Sequence, residues 1–225
     1  MLSICPAVIL AAGRSTRMGR AKATLPLDNG DTFVTRIIRT FRTAGVDDVV
    51  VVLGHEAEAI AAAIDASGLS ARMVINPHYD RGQLSSLQAG LAVIDRPGVS
   101  GMLMTLVDVP LVTASTVRAV LDRYRQSRAP IVRPVERVES VENRGTAHAT
   151  RHGHPILIDR SLFNALRSAS DASGAKPVVR AHASPAGDVP VDDEGAFRDI
   201  DTVDEYERLI RRGADADPRR APSHS

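Results

Sequence analysis

Arg14, Arg17 and Lys22 put three cations into residues 10–22, LAAGRSTRMGRAK, which begin where an apolar run ends. Cations gathered in one loop match a polyphosphate tail, because guanidinium and ammonium groups make charge-assisted hydrogen bonds to phosphate oxygens. Leu10, Ala11, Ala12 and Gly13 leave little bulk where the chain turns, so backbone N–H groups there can approach a ligand closely. The plainer alternative is a solvated basic loop; its place directly after an apolar strand and a glycine turn favours the phosphate site. Asp108 is the second group with chemistry in it. It ends the apolar run 101–107 and is followed by Val109 and Pro110, which turns the chain away. A carboxylate at a strand tip wants a cation, and Mg²⁺ suits it, since that ion takes one or two carboxylates and fills its remaining positions with phosphate oxygens and water. Capping of the next helix is the simpler role for the same aspartate.

Two common phosphate loops are excluded by spacing. A Walker loop needs G-x-x-x-x-G-K followed by Ser or Thr, whereas Gly19 is followed by Arg20, and Lys22 by Ala23. A dinucleotide fingerprint needs G-x-G-x-x-G and an acidic residue about 20 positions on; this is missing, which disfavours an NAD(P)-dependent oxidoreductase. The segment does resemble the signature of the MobA/MocA-like nucleotidyltransferases, LA(A/G)G-x-S-x-R-M-G-x-x-K. Leu10, Ala11, Ala12, Gly13, Ser15, Arg17, Met18, Gly19 and Lys22 all fall on it. The Ala-Ala-Gly form is similar to the cytidylyltransferase branch, which implies CTP before GTP as donor.

The resemblance extends over residues 8–209 and implies further site residues. LVDVPL around Asp108 is similar to the family's L-x-D-x-P metal motif, and DIDT at 199–202 resembles its D-I-(D/G)-T element. That implies Asp199 as a second metal ligand, with Asp201 or Thr202 capping the last helix; helix capping by both aspartates is the alternative. Residues 76–91 resemble the family's N-P…G-x-x-S-S-L-x-x-G-L stretch, where hydroxyls at a helix start could read a base edge. Ser86 is the first candidate and Ser85 the second, an N-cap being the competing role for Ser85. His148, His152 and His154 lack a cysteine companion and a regular element to space them as a transition-metal site. Gly153-His154-Pro155 instead is similar to the G-H-P motif of the cytidylyltransferase branch, implying a place near the acceptor for His154. Residues 133–151 are longer than the link that family has at this point.

The elements that must position these groups alternate between strand-like and helix-like for the first 130 residues. Strands are expected at 7–10, 49–53, 72–75 and 101–107, and helices at 35–44, 56–65, 85–94 and 114–124, the last capped by Thr113. That rhythm predicts an α/β, Rossmann-like, doubly wound, mostly parallel sheet with helices on both faces; the resemblance makes it a nucleotidyltransferase (GT-A-like) architecture. Such sheets bind ligands at the carboxyl ends of their strands, where strand order reverses. Residues 133–153 read as a hairpin or flap over the site, 155–158 as a strand, 160–167 and 202–212 as helices, and 213–225 as a disordered tail. Residues 1–212 form one expected domain.

At 225 residues and 44% hydrophobic content the chain can bury a substantial single core. Lys plus Arg number 28 against 27 Asp plus Glu, so no basic field points to nucleic acid, and 3% aromatics give no base-stacking surface. Cys5 is the only cysteine, no run has the ~18 apolar residues of a membrane span, and the expected location is cytoplasmic, as a monomer or weak homo-oligomer. The expected reaction has an acceptor phosphate attacking the α-phosphorus of an NTP and expelling pyrophosphate. Arg17 and Lys22 would hold the β- and γ-phosphates, and Mg²⁺ on Asp108 would bind the α-phosphate. The resemblance implies molybdopterin as acceptor. A guanylyl or uridylyl donor, a sugar phosphate or other phosphorylated acceptor, or a non-catalytic nucleotide-binding regulator are the competing expectations.

Overall fold

A computed structural model describes residues 4–136 and 151–215. Its centre is a seven-stranded sheet in the order β3-β2-β1-β4-β6-β5-β7. The strands are β1 Ala7–Leu10, β2 Val49–Leu53, β3 Arg72–Ile75, β4 Gly101–Leu106, β5 Ile131–Glu136, β6 Ile156–Asp159 and β7 Asp188–Val191. Strands β1 to β4 are parallel, β6 runs antiparallel to both β4 and β5, and β7 is parallel to β5. β1 and β2 are unbroken apolar runs because helices cover the sheet on both faces. Alternation along each strand feeds two cores. Ile9, Val51 and Leu103 face α1 (Phe33–Thr43), α2 (Ala57–Ala66) and α4 (Ala114–Ser127), while Val8, Val52 and Met104 face α3 (Gln83–Ile94) and α5 (Phe163–Arg167). The remaining helices are α6 (Lys176–His182) and α7 (Val203–Asp215). Among the described residues no helix is long and apolar enough to cross a membrane.

Local chemistry explains the boundaries. α1 starts at Phe33, earlier than expected, because Thr32 and Thr35 form a reciprocal capping box: the Thr32 hydroxyl accepts from Thr35 N, and Thr32 N donates to Thr35 Oγ1 at 2.7 Å. Thr113 caps α4 by accepting from Thr116 N. α3 lies close on the sheet because Gly90 faces Val8; a Cβ there would stand 2.6 Å from Val8 Cγ1.

The chain departs from the expected pattern after residue 130. The opening of the expected flap at 133 is the continuation of β5, with Arg133–Glu136 pairing with β7. α6 and β7 carried no expectation, and α7 runs past its expected end to Asp215. Residues 137–150 of the expected flap, with His148, and residues 216–225 of the expected tail lie outside the described residues.

The crossover that matters is between β1 and β4. After β1 the chain builds outward through β2 and β3, then returns to place β4 on the other side of β1, with Leu10 paired to Leu106. The loops leaving these two strands therefore emerge side by side at the switch point.

Candidate functional site

A cleft of about 330 Å³ opens at the carboxyl ends of β1 and β4. Leu10, Ala11, Ala12 and Gly13 form one wall, Val107 and Asp108 another, and Ser15, Arg17, Lys22, Tyr79, Gln83, Ser86 and Asp201 complete it. The loop after β1 is held open by its own backbone: Ser15 takes a left-handed conformation at φ 49°, its carbonyl accepts from Met18 N at 2.8 Å, and its hydroxyl accepts from Lys22 N at 3.1 Å. Glu56 Oε2 accepts from Ala21 N at 3.1 Å. Gly54 lets the neighbouring loop close in, since a Cβ there would meet Ala12 O at 2.8 Å and Tyr79 Cβ at 2.7 Å.

The carboxyl-terminal part of the chain completes the arrangement. Ile200 N donates to the Asp108 carbonyl at 2.8 Å, and Ile200 packs with Met18, Leu25 and Phe33 in a small core of its own. Tyr206 of α7 donates to Pro26 O at 2.9 Å and lies 6.0 Å from the Phe33 ring. So α7 fastens the loop after β1 to the segment that carries Asp201.

Lys22 lies at the centre. Its side chain is only 9% exposed; the ammonium donates to Asp201 Oδ1 and stands 3.5 Å from Asp108 Oδ2, while Arg17 Nη2 donates to Asp201 Oδ2 at 3.0 Å. An enclosed ammonium is tolerated only with such partners.

The other anticipated residues divide. Ser86 reaches the cleft, its hydroxyl accepting from Asn76 Nδ2 at 3.0 Å. Ser85 does not line it: the hydroxyl sits 2.9 Å from His78 O and 2.8 Å from Gly82 O and accepts from Asn76, so its hydrogen bonding is spent on the loop before α3. Nor is Ser85 the N-cap of α3, a place taken by Gly82. Arg14 is not part of the lining; its guanidinium lies over the ring of Tyr79, 5.7 Å from its centre. His154 lies outside the cleft lining, with Nδ1 3.5 Å from Met104 O, and burial holds its imidazole below the ordinary histidine range against the pull of that carbonyl and of Asp199. His152 and His154 make separate contacts, His152 facing Asp188 at 3.9 Å. Asp199 is exposed and not part of the lining, although its charge is felt by Asp108. The Asp201/Thr202 alternative resolves by geometry: Thr202 caps α7, its hydroxyl accepting from Glu205 N at 3.3 Å, and the Asp201 side chain is free for the cleft. Tyr79 and Gln83 went unread because an aromatic in a turn and an amide at a helix start carry no spacing signal of their own.

Residues 7–186 match the model of the MobA-like NTP transferase domain, which spans most of the chain. The chain belongs to that family. Nicotine blue oxidoreductase of Paenarthrobacter nicotinovorans is 32% identical over 205 residues, 90% of this chain and 95% of that protein. Rv0371c from Mycobacterium tuberculosis H37Rv is similar in structure with a TM-score of 0.73 at 27% identity, covering 93% of this chain and 99% of its own. Its complex with manganese gives 0.70 at 26% identity, covering 94% and 100%. Mth528, a nucleotidyl transferase from Methanothermobacter thermautotroptrophicus, shares the fold with a TM-score of 0.70 at 24% identity over 95% of this chain and 99% of its own.

Transferases of this kind commonly use a divalent metal, and the carboxylates of this MobA-like chain fit one. Burial pushes the Asp108 carboxyl up, Lys22 opposes the rise, and the charges of Asp199 and Asp201 add to it. Asp108 Oδ1 is buried without a hydrogen-bond partner. Lys22 meets only Oδ2, and an enclosed acceptor such as Oδ1, with anionic neighbours, suits a hard cation with oxygen ligands. Asp201 differs: the hydrogen bond from Lys22 outweighs its burial, and with Arg17 holds it below the usual carboxylate range. No group of three or more His, Cys, Asp or Glu converges among the described residues, so the set suits an ion that shares its coordination with substrate oxygens.

Proposed function

We propose that the chain is a metal-dependent nucleotidyltransferase that transfers CMP from CTP to a phosphorylated small molecule and releases pyrophosphate. The observation that carries this reading is the convergence of Lys22, Arg17 and Asp108 on one cleft at the β1/β4 switch point. Lys22 and Arg17 bind the β- and γ-phosphates and stabilise the charge that gathers on departing pyrophosphate. Backbone N–H groups of residues 12 and 13 and the Ser86 hydroxyl orient the nucleotide, and an acceptor phosphate oxygen attacks the α-phosphorus in line. Asp108 and Asp199 would hold Mg²⁺, which supplies Lewis-acid polarisation of the phosphoryl oxygens. Molybdopterin is the acceptor implied by the signature, and His154 would stand near it. The test is to offer the four NTPs with Mg²⁺ and candidate phosphorylated acceptors, molybdopterin among them, and to measure pyrophosphate. Release with CTP and one acceptor is the expected result; no release with any pair sinks the reading.

The relative named nicotine blue oxidoreductase supports a second reading, an oxidoreductase, for which a nicotinamide cofactor is the first hydride donor to test. No G-x-G-x-x-G turn follows β1 here, and the loop that does is basic. A fluorescence titration with NADH and NADPH separates the two, since saturable binding of either would favour the reductase.

A further inference from the structure

Four basic side chains lie on the loop after β1, and none of them faces the cleft uncommitted. Arg14 lies over the Tyr79 ring, and Arg20 lies 5.8 Å from the centre of the Tyr206 ring. Arg17 and Lys22, the two that line the cleft, both donate to Asp201, one to each carboxylate oxygen. The same carboxylate therefore occupies both cations that a triphosphate requires.

The local charge sharpens the point. Two cations, Arg17 and Lys22, face Asp108 and Asp201 directly, and Asp199 adds a third negative charge within reach of Asp108. A free triphosphate entering here must break the Asp201 pairs and then lie beside the released carboxylate. A triphosphate that brings a divalent cation presents that carboxylate with positive charge instead. Lys22 is sheltered, so salt does not erase the difference.

We propose that Asp201 is a specificity-determining residue that makes the cleft select metal-complexed over free nucleoside triphosphate. This rests on the nucleotidyltransferase reading above. The residue suits substitution, because its backbone N–H, not its side chain, makes the bond to Glu205 Oε2 at the start of α7.

Calorimetric titration of the full chain with CTP, GTP, UTP and ATP, each in excess Mn²⁺ or in EDTA, tests the proposal on wild type, Asp201→Asn and Asp201→Ala. The wild-type protein should bind its preferred triphosphate far more tightly with Mn²⁺. Both variants should gain about tenfold or more in EDTA, the scale of removing one close like charge, and the ratio between the two conditions should shrink. Three results overturn the selection role: a wild-type protein that binds both forms alike, variants with unchanged or weaker affinity in EDTA, or an equal gain with and without metal. If no triphosphate binds any of the three proteins under either condition, the nucleotidyltransferase reading fails as well.

Discussion

Lys22 holds the cleft's charge balance, because among the described residues it is the one side chain that pairs with both Asp108 and Asp201. Lys22→Met removes the ammonium but keeps most of the stem, leaving the two carboxylates facing each other. Pyrophosphate release should fall on the order of 10²–10³-fold in kcat/KM, the usual scale for losing a charged group aimed at a reacting phosphate; wild-type turnover in this variant would remove Lys22 from the mechanism. Asn76 offers a second test at this scale. It is 3% exposed, donates to both Ser85 and Ser86, and accepts from His78 N at 3.0 Å. Asn76→Ala should cost about 1–3 kcal/mol by urea unfolding and weaken discrimination among the four NTPs, since Ser86 loses its anchor. Unchanged preference in a destabilised protein would show that Ser86 does not read the base. At this scale the sequence displayed Arg17, Lys22 and Asp108 through their place after apolar strands, but it did not separate Asp199, Asp201 and Thr202. Three polar residues within four positions before a helix have similar local propensities, and only the approach of Lys22 singles out Asp201.

The elements position the site through two contacts. α3 lies close on β1 and β2 because Gly90 carries no side chain toward Val8 and Val52. Gly90→Ala should destabilise by about 1–3 kcal/mol in chemical denaturation despite its better helix propensity, because a methyl overfills the contact. A more stable variant would show that the helix can lift without cost. The second contact is α7, which links Pro26, Phe33 and Asp201. The strands β1, β2 and β4 were legible as apolar runs of strand length. β5 and β7 were not, since Arg133 and Pro134 in one and Asp188 and Pro190 in the other break the apolar pattern. Pairing decided them: beyond Val132, β5 leaves β6 and takes β7 as its partner.

For the whole molecule, aspartates on several elements tie the fold together. Burial alone would raise the carboxyls of Asp31 and Asp48, but hydrogen bonds from Arg39 and Arg36, and from Arg96 and Arg72, outweigh it and hold both below their ordinary value of 3.8. Hydrogen bonding from Arg167, with help from Arg160, does the same for Asp95. A carboxyl depressed in the folded state contributes stability that is complete above its unfolded pKa and is lost as pH falls through the folded one. The urea midpoint should therefore decline modestly below about pH 6.5, where His154 stays neutral in the folded chain while its unfolded form takes a proton, and drop steeply below about 4, where these carboxylates are protonated. Asp31→Asn should be less stable at pH 7 and lose less on acidification. A variant with the wild-type acid slope would show that Asp31 is not among the linked groups.

The sequence by itself determined that a parallel sheet forms, that a cationic turn follows its first strand, and that an aspartate ends another. Each of those depends on residues adjacent in the chain, where apolar runs, glycine and charge act locally. Only the tertiary structure decided which carboxylate meets which cation. Lys22 and Asp201 are 179 residues apart, and their pairing follows from sheet order and from the docking of α7, neither of which any stretch of residues encodes alone.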